Sequence, residues 1–99
     1  MLELRITPVA MNDLLKIQQF IAEDSEPMAE KTVQEFMKQF ELLSTFPHMG
    51  SALSKRVTFR TDYRYVVMGN YIVLYRVNEK YLEIYRVINR HQDFTKIFE

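Results

Sequence analysis

The chain has no cysteine and no tryptophan, and only two glycines and three prolines among its 99 residues. Without cysteine there is no disulfide framework, no thiolate metal ligand and no thiol nucleophile. The two histidines, His48 and His91, lie far apart and show no metal-ligand spacing. No metal and no cofactor is therefore expected. No apolar run approaches the roughly 18–20 residues that cross a bilayer. The opening MLELRITP lacks the basic-then-apolar layout of a secretion signal, so a cytoplasmic location and no membrane partner are expected. Also missing are internal repeats, a low-complexity tract, a Ser/His/Asp order, an HExxH motif, a Gly-rich phosphate loop and a carboxylate pair.

What remains is the composition of one ordinary globular domain, 47% hydrophobic and 26% charged, spanning residues 1–99. The net charge is zero but unevenly distributed. Residues 1–50 carry four basic and eight acidic groups, net −4; residues 51–99 carry nine basic and five acidic, net +4. Such asymmetry points to an anionic partner for the second half, or to two solvated faces of opposite sign. A pI near 6.7 does not support strong non-specific nucleic-acid binding.

Three runs in the second half organise the rest. Residues 63–68, 71–77 and 81–88 are rich in β-branched and aromatic residues, and Gly69-Asn70 and Asn78-Glu79-Lys80 separate them. Connections this short allow only antiparallel hairpins, so the three form a meander. Before them, Leu2, Leu4 and Ile6 alternate with Glu3 and Arg5 as a short half-buried strand. Thr7-Pro8 offers an N-cap and first-turn proline for a helix over residues 9–22, with Ala10, Leu14, Ile17 and Ile21 on one face. A second helix starts at Ser25 or Glu26. Its stripe is Ala29, Val33, Phe36, Phe40 and Leu43, and it ends before Pro47. The short connection makes the two an antiparallel helical hairpin. The expected order is β-α-α-β-β-β: an α+β fold with the hairpin packed on a twisted antiparallel sheet, and residues 51–60 as a basic loop.

Pairing Met68 with Tyr71 and Val77 with Tyr81 sorts the side chains by face. The helix-covered face is then expected to hold Tyr65, Val67, Ile72, Leu74, Leu82, Ile84 and Ile88, with Arg76 and Arg86 at its rim. The other face, with nothing left in the chain to cover it, would hold Arg64, Val66, Tyr71, Val73, Tyr75, Tyr81, Glu83, Tyr85 and Val87, with Arg64, Tyr75 and Glu83 in one row. A slip of one residue exchanges the two sets.

Three groups of residues carry candidate chemistry. Lys55, Arg56, Arg60 and Arg64 form the densest positive cluster, able to position phosphates, or else a solvated loop. Tyr71, Tyr75, Tyr81 and Tyr85 on an open face would make a stacking platform for unpaired bases or, with Val73 and Glu83, a face for a partner chain. The partner reading is preferred, because an uncovered aromatic face is a liability in a monomer. His91, beside Arg90, has the intrinsic pKa for proton transfer at neutral pH, although a lone histidine there is commonly a surface residue.

The chain also resembles the RelE/ParE superfamily of toxins from bacterial type II toxin–antitoxin pairs. The resemblance runs along nearly the whole length: Ile6 with Pro8 to Ala10, Asp13-Leu14, Ile17 with Phe20-Ile21, Leu43 with Phe46-Pro47 and Gly50, Arg60 with Asp62-Tyr63-Arg64, Tyr71 to Val77, and Ile84 to Ile88 with Asp93. It implies the same β-α-α-β-β-β fold and a growth-inhibitory toxin neutralised by a cognate antitoxin protein. RelE-like members are ribosome-dependent messenger-RNA endoribonucleases acting without metal; ParE-like members share the fold and poison DNA gyrase through protein contact. On a RelE-like reading the catalytic set would be Arg64, Arg90 and His91. Nucleic-acid or target contacts would come from Lys55, Arg56, Arg60, Arg64, Tyr71, Tyr75 and Tyr85. Yet the arginine that nucleases of this type carry after the tyrosine opening their third strand is replaced by Ile72, and at most one of their two lysines finds a counterpart. The resemblance therefore favours the ParE-like branch. A degenerate toxin that only binds its antitoxin is the remaining alternative.

Overall fold

The structure is a computed structural model, and it describes residues 1–92. Its elements are β1 (Glu3–Ile6), α1 (Pro8–Ala22), α2 (Glu26–Thr45), β2 (Ser51–Ala52), β3 (Arg64–Met68), β4 (Tyr71–Val77) and β5 (Tyr81–Asn89), with one 3-10 turn at Leu53–Lys55. Asp93, the last residue of the resemblance, lies outside the described residues. None of the described helices is long and apolar enough to cross a membrane.

Both helices begin where the sequence marks them. The Thr7 hydroxyl accepts from Ala10 N at 3.0 Å and the Ser25 hydroxyl from Met28 N at 3.2 Å, each satisfying an amide that the first turn leaves unpaired. Proline follows each cap closely, where its missing N–H costs nothing.

The five strands form one sheet in the order β1-β5-β4-β3-β2. β1 is an edge strand and runs parallel to β5; the other pairs are antiparallel. The expected register of β3 on β4 is found, Met68 opposite Tyr71 and Tyr65 opposite Leu74. β4 on β5 differs. Val77 faces Leu82 rather than Tyr81, because Asn78 N donates to Tyr81 O and closes a tighter turn. A bulge at Tyr85 then shifts the pairing again, leaving Leu74 opposite Arg86 and Ile72 opposite Ile88. A bulge places one extra residue on its strand and re-aims the side chains beyond it.

This register and the bulge exchange most of the two faces. The helices cover Val73, Tyr75, Leu82, Ile84 and Val87, packed against Ala10, Leu14, Phe36, Phe40 and Leu43. Tyr71, Val73 and Tyr75, expected on the open face, belong to this core instead; Val66 and Val87 change sides with them. Ile72, Leu74 and Ile88 lie on the far face, with Tyr63, Tyr65 and Tyr85 packed against them. Nor is that face uncovered: Leu53, fully buried, folds back over it from the 3-10 turn, with Val57 beside it. The loop expected over 51–60 thus supplies both a two-residue strand and a plug. Leu82, Ile84, Tyr81, Glu83 and Tyr85 keep their expected sides, and Arg86 still reaches the helices, because the register difference and the bulge act on opposite parts of β5.

Candidate functional site

Past the reach of Leu53, the far face is built from alternate residues of four segments. β1 contributes Arg5, β5 contributes Tyr81, Glu83 and Tyr85, β4 contributes Arg76, and the lead into β3 contributes Tyr63. The backbone register aligns Arg5 with Glu83 and Glu83 with Arg76, so one carboxylate stands between two arginines in a row across the sheet. Arg76 Nη2 lies 3.7 Å from Glu83 Oε1, and Arg5 Nε lies 3.6 Å from Glu3 Oε2. These are half-exposed pairs, of a kind worth up to about 1 kcal/mol.

The tyrosines carry guanidinium groups on their rings. Arg5 Cζ lies 3.5 Å from the Tyr81 centroid, Arg76 Cζ 5.2 Å from that of Tyr63, and Arg56 Cζ 5.5 Å from that of Tyr65. Arg56 Nε also donates to the Tyr65 hydroxyl at 2.9 Å, and the rings of Tyr63 and Tyr85 are 4.9 Å apart. A cation within about 6 Å of a ring centroid is attracted to its face. A guanidinium laid over a ring leaves N–H edges for carboxylate or phosphate oxygens. Such a surface favours an anionic protein side chain over an inserted base, because the stacking position is occupied.

Burial pushes the Tyr63 hydroxyl above the ordinary tyrosine range, and the charge of Arg76 opposes that rise. Arg76→Ala is therefore expected to raise it further, read by ultraviolet titration of the phenolate against Tyr63→Phe; a fall would contradict the assignment. The fold favours the neutral phenol. Its contribution is fully present below the unfolded-state pKa and is lost as pH rises through the folded one.

The other expected site residues are dispersed. Arg64 stands opposite Tyr75 on the helix side, and no row joins them to Glu83. Its Nη2 donates to the carbonyls of His48 and Gly50, and its buried Nε has no hydrogen-bond partner among the described residues. The Tyr75 hydroxyl donates to Pro47 O at 2.8 Å and accepts from Gly50 N at 3.0 Å, which is how a tyrosine is buried completely. Tyr71 meets Phe36 edge-on at 5.5 Å. Lys55, Arg56 and Arg60 are exposed. Arg90 and His91 are exposed beyond β5, and Arg90 N donates to Asn70 O. Arg64 and Arg90 are thus at opposite ends of β3, separated by roughly 13 Å of strand. Among the described residues no cluster of three or more histidine and acidic side chains suits a metal ion.

Sequence reasoning puts Arg76 on the rim of the helix face, but it lies on the far face with Tyr63 and Glu83. Arg86, also without an assigned role, reaches α1, where Asp13 takes it up. Arg5 and Tyr63 are site residues that sequence reasoning misses. The usable signal is β4 itself, an apolar run on both faces that marks a strand covered on both sides.

A family model described as the ParE toxin of type II toxin–antitoxin system, parDE, matches residues 4–94. The chain belongs to this family. Among solved structures it is similar to one titled as a chromosomal ParDE toxin–antitoxin system from P. aeruginosa, with TM-score 0.73 and 23% identity over 90% of this chain and 96% of that one. It is also similar to a chain of the RelBE2 toxin–antitoxin complex from Mycobacterium tuberculosis, with TM-score 0.62, 22% identity and coverage of 90% and 98%. A chain of the E. coli DinJ–YafQ complex gives TM-score 0.53, 15% identity and coverage of 90% and 93%. At these identities the likenesses show the fold. A search of curated protein sequences returned no match.

Proposed function

We propose that this ParE-family chain is a growth-inhibiting toxin that acts on DNA gyrase by protein contact through the far face of its sheet, and that a cognate antitoxin protein neutralises it. The observation that carries this reading is the dispersal of the nuclease set. Arg64 is engaged by the backbone carbonyls of His48 and Gly50, a strand length away from Arg90 and His91. In-line attack on a phosphodiester needs base, acid and charge stabiliser within contact of one phosphate. The far face, with guanidinium groups already over its tyrosines, suits a protein surface bearing carboxylates.

The exposed pair Arg90-His91 favours the alternative, cleavage of ribosome-bound messenger RNA. Inducible expression separates the two. Growth arrest with gyrase-linked DNA breaks is expected, undiminished in the double variant Arg90→Ala/His91→Ala, whose sites are exposed. Arrest of translation with A-site cleavage, abolished in that variant, would replace the proposal with the nuclease. Harmless expression of folded protein would leave a chain that only binds its antitoxin.

A further inference from the structure

The sheet ends differently at its two sides. β2 is two residues long, whereas β1 presents four residues with no described strand on its outer side. Glu3 N donates to Lys80 O and Thr7 N to Ile84 O, so the odd-numbered residues of this stretch turn their backbone towards β5. Strand alternation then turns the N–H and C=O of Leu4 and Ile6 outward. Leu2 N is taken by Ser44 O, which leaves the Leu2 carbonyl as an acceptor. The side chains of Leu2, Leu4 and Ile6 pack against the helix-side core and are only partly buried.

Charge selects what can pair there. Across the far face Arg76, Glu83 and Arg5 alternate in sign, and the row stops at Arg5 on the edge. In the neighbouring row Tyr81 is followed by Glu3. The next strand should therefore carry a carboxylate opposite Arg5 and a cation opposite Glu3. This chain supplies both. An antiparallel copy of β1 centred on Leu4 sets Glu3 against the partner's Arg5, and Arg5 against the partner's Glu3. In that register the two Leu4 residues exchange both backbone bonds, and each Ile6 N–H meets the Leu2 carbonyl opposite. On the helix side it sets Leu4 beside Leu4 and Leu2 beside Ile6, completing an apolar cover that one copy leaves half made. Moving the centre by one residue would call on amides that β5 already holds. Charges commonly guard an edge strand against pairing; here they are self-complementary, as a two-fold contact requires.

We propose that the chain self-associates through β1, two copies joining edge to edge about Leu4 so that their sheets become one. The two-fold axis stands perpendicular to the sheet, and both arginine–tyrosine surfaces therefore face the same way. This association is independent of what those surfaces act on.

Analytical ultracentrifugation of the untagged full chain should show a monomer–dimer equilibrium with its midpoint at about 10–100 µM, the range of a small interface. Glu3→Arg and Arg5→Glu each set like charges opposite one another across the two-fold axis. Each variant alone should dimerise about tenfold or more weakly. Mixed in equal amounts, the two present opposite charges at both contacts and should associate about tenfold or more tightly than either does by itself. Leu4→Pro removes an outward amide, which an edge strand tolerates, and should abolish association while its thermal melt stays cooperative. Should Leu4→Pro fail to fold, the charge mixture alone decides. A monomer at every concentration up to about 1 mM, a dimer indifferent to these charges, or a mixture no tighter than its components overturns the proposal. So does a dimer that persists in folded Leu4→Pro.

Discussion

Gly50→Ala is expected to destabilise the protein by about 3 kcal/mol, through overpacking against groups that cannot yield. A Cβ there would stand 2.5 Å from Tyr65 O and 2.5 Å from the Tyr75 hydroxyl, with Tyr75 Cε1 at 2.9 Å. One obstacle is strand backbone and the other is a completely buried ring. Relief would require the 47–50 turn to lift, which breaks the bonds from Gly50 N to Tyr75 and from Tyr75 to Pro47 O, along with the grip of Arg64 on His48 and Gly50. Urea denaturation should show a lower midpoint at unchanged slope, and for a domain of this size the melting temperature should fall by roughly 15 °C. Tyr75→Phe keeps the ring but orphans the partners of the hydroxyl, costing about 1–3 kcal/mol. Because it also removes one clashing atom, the double variant should be less destabilised than the sum of the two. An unchanged midpoint for Gly50→Ala would mean that the turn is not pinned this way.

Asp13→Ala should cost about 2–3 kcal/mol, discounted from the full value of a broken buried pair because both groups keep some contact with water. Asp13 Oδ2 accepts from Arg86 Nε at 2.8 Å and from Val87 N at 3.0 Å, while Oδ1 accepts from Arg86 Nη2 at 3.1 Å. The side chains are only 12% and 24% exposed. One carboxylate thus joins α1 to the stretch of β5 that β1, ending at Ile6 opposite Ile84, does not reach. Removing it leaves a guanidinium and a strand amide unpaired together. Asp13→Asn keeps an acceptor and should fall between. The bond to Asp13 holds the Arg86 pKa above its usual range. A raised folded-state value means that the arginine's contribution is fully present below the unfolded pKa and is lost only as pH rises through the folded one. The difference between wild type and Asp13→Ala should therefore be flat from neutral to mildly alkaline pH. Chemical denaturation across that range checks both size and flatness.

Much of the fold is legible in the sequence because local rules govern it. Thr7 and Ser25 announce their helices, and Gly69, with φ at +59°, sets the β3–β4 register through its turn. The site is less so. Face assignment rests on parity, and two features outside local pattern govern parity on β5. Asn78 closes its turn with its own side chain, accepting from Lys80 N and Tyr81 N, and that advances the pairing by one residue. The bulge at Tyr85 then restores parity for the rest of the strand. Tyrosine bias adds to the error. Tyr75 reads as a half-exposed strand residue until the turn at Pro47–Gly50 is seen to satisfy its hydroxyl. That dependence joins residues 25 positions apart and leaves no mark in either stretch alone.

The pairing of β1 with β5 bears on the order in which the chain acquires its structure. Residues 3–6 are synthesised before the other described strands, and their partners are residues 81–84. The helical hairpin between depends on local contacts and forms quickly, but Phe36 and Phe40 then face water until β4 and β5 arrive. A nascent chain halted before residue 84 therefore displays an uncovered phenylalanine stripe and an unpaired first strand, the two features that recruit chaperones and seed aggregation. Completion of the sheet therefore awaits residues 81–84.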